Sequence, residues 1–345
     1  MPTLRSSVVA LLLSAFGCGA AALPRPSATT PDSATTGAPT HDLRIQRIAS
    51  EEVDRFVSDW GAVRAVVVVV DPKSGAVLAA DGRSHGRAEP SLVSAHAWVT
   101  GSTLKPITMA AALDASTITL EQRFPCGERA YGGHSLHDAA EGPCAPLDAR
   151  GVIARSSNVG ISYVFDTLGS ARLTSFLGKL HVGDSPGTLP KIDDDKSFRA
   201  AAFAGGEVAE ATPLQMAHAY AALFNDGVYA APAGDSGAPA ETRVMRADTA
   251  KTIVTMLENV VGGDGNGARA RVAGARAAGK TGTADVRGEA GEDMCYVSFV
   301  GTVLDREPRF VALVGMEVPE GKATGPSAAA PAWGKIAARI VGEGP

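Results

Sequence analysis

The chain has 345 residues, 45% hydrophobic and 20% charged, with a net charge of −5 at neutral pH. That composition supports a buried core in one large or two ordinary domains. No long basic run and no interleaved aromatic stripe occurs, which excludes a nucleic-acid partner, and the negative balance disfavours a strongly anionic one.

The N-terminus reads MPTLRSSVVALLLSAFGCGAAALP. Arg5 precedes the apolar run 8–16, too short to cross a bilayer as a mature helix and suited to a secretory signal over residues 1–22. Ala15-Phe16-Gly17-Cys18 resembles a lipoprotein box, although Ala stands where Leu is usual. Lipid on Cys18 would tie the chain to a membrane. Ala20-Ala21-Ala22 instead suits ordinary cleavage after Ala22. Both readings predict export to the periplasm or cell envelope. Residues 23–42 are rich in Pro, Ser, Thr and Ala, which cannot bury enough surface to offset ordering, so they read as a tether.

The domain is expected over 43–345. SEEVDRFVSDW (50–60) predicts a helix capped by Ser50. AVVVVVDPKSGAVLAA (65–80) predicts two strands joined at Asp71–Gly75, the first covered on both faces. Residues 91–265 read as an inserted, all-helical subdomain. Within it, TLKPITMAAALDA follows Ser102 at helical spacing, Thr212-Pro213-Leu214-Gln215 is a capping box, Asn225-Asp226-Gly227 a stop, and Asp248 a cap for TAKTIVTMLENVV. Strands return at KTGTADV, CYVSFVGTVL and RFVALVGMEV, and APAWGKIAARIV predicts a last helix. The fold class is therefore α/β of the α+β kind: an antiparallel sheet built from both chain ends, flanked by helices, with the helical insert between.

Cys126, Cys144 and Cys295 remain beyond the signal region. Export permits a disulfide, and Cys126–Cys144 would close a short loop and leave Cys295 free. The alternative is zinc on Cys126, His134, His137 and Cys144, but that spacing matches no standard module, so neither metal nor cofactor is expected.

Several serines compete as nucleophiles. Ser185 in GDSPG fits the Gly-x-Ser-x-Gly elbow but lacks a strand before it and a helix after it. Ser236 in GDSGAP resembles a trypsin-like segment, with His96 loosely echoing its histidine, yet it lies in an Ala/Pro/Gly loop. His134, His137 and Asp138 offer a base, although such residues more often make a polar loop. GSTLKP holds a Ser-x-x-Lys pair, Ser102 and Lys105, and a chain of this kind contains on the order of one such match by chance. Its ordinary reading is an N-cap followed by a solvated lysine.

GSTLKP has companions, however. Ser156-Ser157-Asn158 lies downstream, and Lys280-Thr281-Gly282-Thr283 further on. Lys-Thr-Gly alone is expected by chance at roughly 0.1 or less. The three in this order are the signature set of penicillin-binding proteins and class A β-lactamases. GSTLKP, SSNVG, ATPLQMAHAYAALFNDG, GKTGTA and SFVGTVLDREPRFVALVGMEVP resemble segments of class B penicillin-binding protein transpeptidase domains, from about residue 61 onward. The departures are Thr100, where the family commonly has Pro, and the expected lack of the large N-terminal module of typical class B members.

The resemblance implies an acyl-enzyme on Ser102, with Lys105 as its base. A lysine is a base only when neutral, which requires partial burial and a nearby cation; Lys280 can supply that charge, and the helix N-terminus at Ser102 adds positive potential. Ser156 would relay the proton to the leaving amine, and Asn158 would hold Lys105 and a substrate amide. Thr281 and Thr283 would bind the terminal carboxylate, with Gly282 allowing close backbone approach. The backbone N–H groups of Ser102 and Thr283 would form the oxyanion hole. The implied partners are peptidoglycan stem peptides and β-lactams. The implied activity is a D,D-transpeptidase; a D,D-carboxypeptidase, a serine β-lactamase and a non-catalytic sensor share the motifs.

Overall fold

In the computed structural model, residues 42–131, 134–139, 144–231, 241–263, 265–307 and 309–342 are described. Cys18, the signal region, the tether before Asp42 and Ser236 lie outside them.

Helix α1 (Leu43–Trp60) is capped by Asp42, whose carboxylate accepts from the Arg44 and Ile45 amides at 2.8 and 3.0 Å. It therefore begins a full two turns before the expected cap. Ser50 sits inside the helix, donating to the Gln46 carbonyl at 3.1 Å and bonding Asp81. The buried stripe Ile45, Ile48, Ala49, Val53 and Phe56 explains the extension, because its spacing carries one apolar face back to the tether.

Strands β1 (Arg64–Val70) and β2 (Val77–Ser84) follow, then β3 (Arg87–Ala88). The insert runs through α2 (Leu92–Ala95), β4 (Trp98–Val99), a tight 3-10 turn Gly101–Thr103, α3 (Lys105–Asp114), β5 (Glu128–Tyr131), β6 (His134–His137) and α4 (Ala149–Ala154). It continues with α5 (Asn158–Leu168), α6 (Ser170–Lys179), α7 (Phe198–Gly205), β7 (Glu210–Ala211), α8 (Pro213–Phe224), β8 (Val228–Ala230), β9 (Glu241–Arg243) and α9 (Ala247–Gly262). The chain closes with β10 (Ala277–Arg287), β11 (Asp293–Val303), β12 (Val311–Pro319) and α10 (Ala330–Ile340).

One antiparallel sheet, in the order β10-β11-β12-β1-β2-β3, joins the two chain ends. Its centre is β1, where Val67 lies opposite Val314 on one side and Asp81 on the other. Val66, Val68 and Val70 point into the core shared with the insert; Ala65, Val67 and Val69 point into the core under α1 and α10. The alternation is why the valine run carries no polar residue. On the α1/α10 side, Trp333 packs 5.0 Å from Phe299 and donates its indole N–H to the Ala312 carbonyl at 3.0 Å.

The insert is mainly helical but not purely so. Three two-stranded ribbons, β4–β7, β5–β6 and β8–β9, punctuate it. At two to four residues a strand is too short to show alternation. The capping box of α8 forms in both directions, Thr212 N to Gln215 Oε1 at 2.8 Å and Gln215 N to Thr212 Oγ1 at 3.1 Å. Asp248 does not cap α9; it sits in the first turn. The cap is tertiary: Asp114, at the end of α3, accepts from the Arg246 amide and Thr249 Oγ1 at 2.8 and 3.0 Å.

Candidate active site

The β4–β7 ribbon delivers the chain to Ser102. Thr100 donates its amide to the Ala209 carbonyl at 2.8 Å and its hydroxyl to the Gly206 carbonyl at 3.1 Å. A proline there has neither donor, so the departure at Thr100 is used structurally. The Gly101 amide also donates to Gly206, at 3.0 Å. Gly206 has φ +88°, and a Cβ on it would stand 2.1 Å from the Gly101 carbonyl oxygen. Only glycine lets these two turns touch.

Lys105 begins α3, one turn beyond Ser102, so both side chains share a face. Ser102 makes no side-chain cap there. Its hydroxyl instead accepts from Lys105 Nζ at 3.0 Å. Lys105 is 1% exposed. It also donates to the Ser156 carbonyl at 2.8 Å, to Ser156 Oγ at 3.4 Å and to Asn158 Oδ1.

The second motif is a corner between two helices. Ser156 N closes onto the Ile153 carbonyl at the end of α4, and Ser157 caps α5 by accepting from the Gly160 amide at 2.7 Å. Ser156 itself has φ +57°, a left-handed conformation that costs a non-glycine residue ~1–2 kcal/mol. That corner aims Ser156 Oγ at both lysines: Lys280 Nζ donates to it at 2.9 Å. Lys280 is 0% exposed on β10, the edge strand of the sheet, and also donates to the Thr281 carbonyl at 3.1 Å.

Two buried lysines therefore share one hydroxyl, and among the described residues neither has an ion-pair partner. Burial holds Lys105 well below the ordinary lysine range, at about 8, against the opposing pull of Glu207 and Asp138. Burial pushes Lys280 down as well, and the charge of Lys105 adds to that. Burial is the larger cause at both lysines, and the repulsion between the two ammonium groups is mutual, so each favours the neutral form of the other.

Gly282 is packed closely within the fold. A Cβ there would stand 2.4 Å from Ser298 Oγ and 3.0 Å from Thr103 Cγ2. The missing side chain leaves room for Ser298 of β11 and for the turn that carries Ser102. Thr281 is covered, at 2% exposure, with its hydroxyl 3.3 Å from Lys280 Nζ. Thr283 is half-buried; its oxygen accepts from the Gly325 amide at 2.9 Å and its proton remains available to a ligand. The Thr283 backbone lies against the Ser102 turn, its carbonyl 3.1 Å from where a Cβ on Gly101 would stand.

The other candidates are elsewhere or differently employed. Ser185 lies exposed in the loop after α6, with no strand before it. His96 packs its edge on Trp98 at 4.5 Å. Cys126 and Cys144 are joined as a disulfide, Cα–Cα 6.1 Å, so neither is free to ligate zinc, and Cys295 is a buried thiol. His134 is 4.7 Å from Phe198, and His137 faces Glu128 at 3.9 Å, both away from Ser102's hydrogen bonds. Glu207, beside Lys105, was not marked by any motif; it follows the glycine pair that packs on the Ser102 turn, and loss of solvent raises its carboxyl.

The chain matches the penicillin binding protein transpeptidase domain over residues 65–341. It is 29% identical to the probable peptidoglycan D,D-transpeptidase PenA of Neisseria meningitidis, over 81% of this chain and 52% of that protein. The chain thus spans about half the length of the curated relatives it matches. The apo transpeptidase domain of Burkholderia pseudomallei penicillin-binding protein 3 superposes with a TM-score of 0.76 at 26% identity, over 88% of this chain and 95% of that one. Penicillin-binding protein 3 of Mycobacterium tuberculosis, complexed with aztreonam, gives 0.75 at 29% identity, over 86% and 76%. With the three motifs joined in one hydrogen-bonded cluster and the family match covering most of its length, this chain belongs to the penicillin-binding protein transpeptidase domain family.

Proposed function

We propose that this chain is a serine D,D-transpeptidase that acts on D-Ala-D-Ala stem peptides of peptidoglycan in the cell envelope and is acylated by β-lactams. The observation that carries the reading is the 3.0 Å contact between Ser102 Oγ and a buried Lys105 that has no ion-pair partner among the described residues. With its pKa near 8, roughly a tenth of Lys105 is neutral at pH 7, far more than of an ordinary lysine.

Neutral Lys105 takes the Ser102 proton as Oγ bonds to the carbonyl carbon of the penultimate D-Ala. The proton then passes through Ser156 Oγ, 3.4 Å from Lys105 and 2.9 Å from Lys280, to the leaving nitrogen as the C–N bond breaks. Backbone N–H groups of Ser102 and Thr283 stabilise the oxyanion, a donor of this kind being worth ~3 kcal/mol. Thr283 donates to the terminal carboxylate, with Thr281 behind it. Asn158 fixes Lys105 through Oδ1. An amine then attacks the ester carbon and returns the Ser102 proton by the reverse route. Capture of aztreonam by the M. tuberculosis relative supports β-lactam acylation on the same scaffold. Lipid on Cys18 would hold the chain at a membrane.

The test is product analysis by mass spectrometry with a pentapeptide donor and an amine acceptor. Crosslinked product is expected. Released D-Ala alone would mean a carboxypeptidase, rapid multiple turnover of nitrocefin a β-lactamase, and failure to label with a fluorescent penicillin a non-catalytic sensor.

A further inference from the structure

The ribbon β5–β6 does no chemistry in this mechanism, yet it holds the second motif. Asn158 Nδ2 donates to the His137 carbonyl at 2.9 Å, leaving Oδ1 for Lys105. The Asp138 carboxylate accepts from Ser157 Oγ, 2.9 Å from each oxygen, and from the Val159 amide at 3.0 Å. On its other side it accepts from the Gly127 amide at 2.9 Å, while the Asp138 amide returns a bond to the Gly127 carbonyl at 2.9 Å.

The ribbon is itself anchored. Arg129 pairs with Asp166 of α5 at 2.6 Å, donates to Ser162 at 2.8 Å and lies 3.8 Å over the Tyr163 ring. Cys126, adjoining Gly127, carries the disulfide to Cys144. Asp138 thus links a braced ribbon to the first turn of α5, where a carboxylate meets the positive end of the helix.

Ser156, next to this anchor, is in a left-handed conformation that its own side chain does not enforce. A freed corner would relax toward an ordinary backbone and carry Oγ away from the lysines. We propose that Asp138 is the positioning residue of the second motif: by holding Ser157 and the start of α5, it keeps Ser156 Oγ between Lys105 and Lys280 and Asn158 on Lys105. The proposal rests on the transpeptidase reading for its kinetic consequence. Its charge has a second effect, opposing the burial of Lys105, as does that of Glu207 after α7, while Lys280 on β10 is the cation facing the same group.

The test compares the full chain with D138A and D138N, following acylation by a fluorescent penicillin across pH and the fraction of molecules labelled. D138A is expected to label to full stoichiometry but ten- to a hundredfold more slowly. D138N keeps an acceptor oxygen without the charge; it should retain most of the rate and move the acid limb of the profile to lower pH. A folded D138A that labels at the wild-type rate overturns the proposal. If D138A does not fold, D138N decides by amide exchange at Val159 and Gly160, and exchange unchanged from wild type overturns it. If the wild type takes no label, the transpeptidase reading has failed, and amide exchange at Val159 and Gly160 tests the positioning instead. Faster exchange in D138N is expected, and unchanged exchange overturns it.

Discussion

Two buried polar clusters of this molecule are built on opposite rules. Under α1 and α10, Glu52 is 1% exposed and accepts from Arg55 at 2.7 Å and Arg339 at 2.8 Å. Glu317, 2% exposed on β12, has Arg64 at 2.8 Å. Each buried carboxylate has its guanidinium. Around Ser102, Lys105 and Lys280 are as deeply buried, and among the described residues they donate only to hydroxyls, carbonyls and an amide. Pairing keeps a buried charge charged; leaving it unpaired makes its proton easier to remove. The protein uses the first arrangement for stability and the second for reactivity, at some cost in stability.

Ser102→Ala should have the largest effect on function and almost none on the fold. Labelling by fluorescent penicillin should vanish, with the melting temperature within a degree or two of wild type by calorimetry. Lys105→Met should slow acylation about 10²–10⁴-fold, the usual worth of a general base. It should also stabilise the protein by about 2–3 kcal/mol at pH 7, because a desolvated ammonium is gone. The sign follows from linkage. Lys105 protonates near 8 in the fold and near 10.5 unfolded, so its destabilisation is full below pH 8 and fades as pH rises toward 10.5. The advantage of the methionine variant in chemical denaturation should shrink over that window. Equal stability of the two proteins at every pH would erase the contrast between the clusters.

Glu52→Ala should do the reverse, losing about 2 kcal/mol, less than for a fully buried pair because Arg55 is half exposed. Acylation per folded molecule should not change, as stopped-flow labelling of the folded fraction would show. The smallest effect is that of pH itself on the wild type. Second-order acylation should rise about tenfold per unit below pH 7 and level off above 8, as neutral Lys105 accumulates. A flat profile would remove Lys105 from the role of base.

The motifs were legible because each is local. Ser102 and Lys105 share one helical turn, the Thr212 box caps its own helix, and the valine run needs only its own letters to read as a doubly covered strand. What escaped the sequence was long-range. Asp42 displaced Ser50 as the cap of α1, and Asp114 displaced Asp248 at α9, by chemistry that a linear pattern does not contain. Asp138 stood out only as a polar residue near two histidines; its partners, Ser157 and Val159, are brought to it by the fold. Gly282 matched the motif, but the direction its missing side chain faces required coordinates.

The central position of β1 governs how the molecule must be made. Its partner β12 follows some two hundred and forty residues later, a separation visible in Val70 facing Val311. During synthesis, Val66–Val70 stays without that neighbour until residues 311–319 have emerged, as a short, uncharged, proline-free β-forming segment of the sort that seeds intermolecular pairing. Contacts this distant slow folding, since loop closure precedes any gain from them. Yield on overexpression should therefore depend on what shields those five valines before the last strands arrive, and a chain truncated before residue 311 should aggregate even though its nucleophile turn and second motif are present.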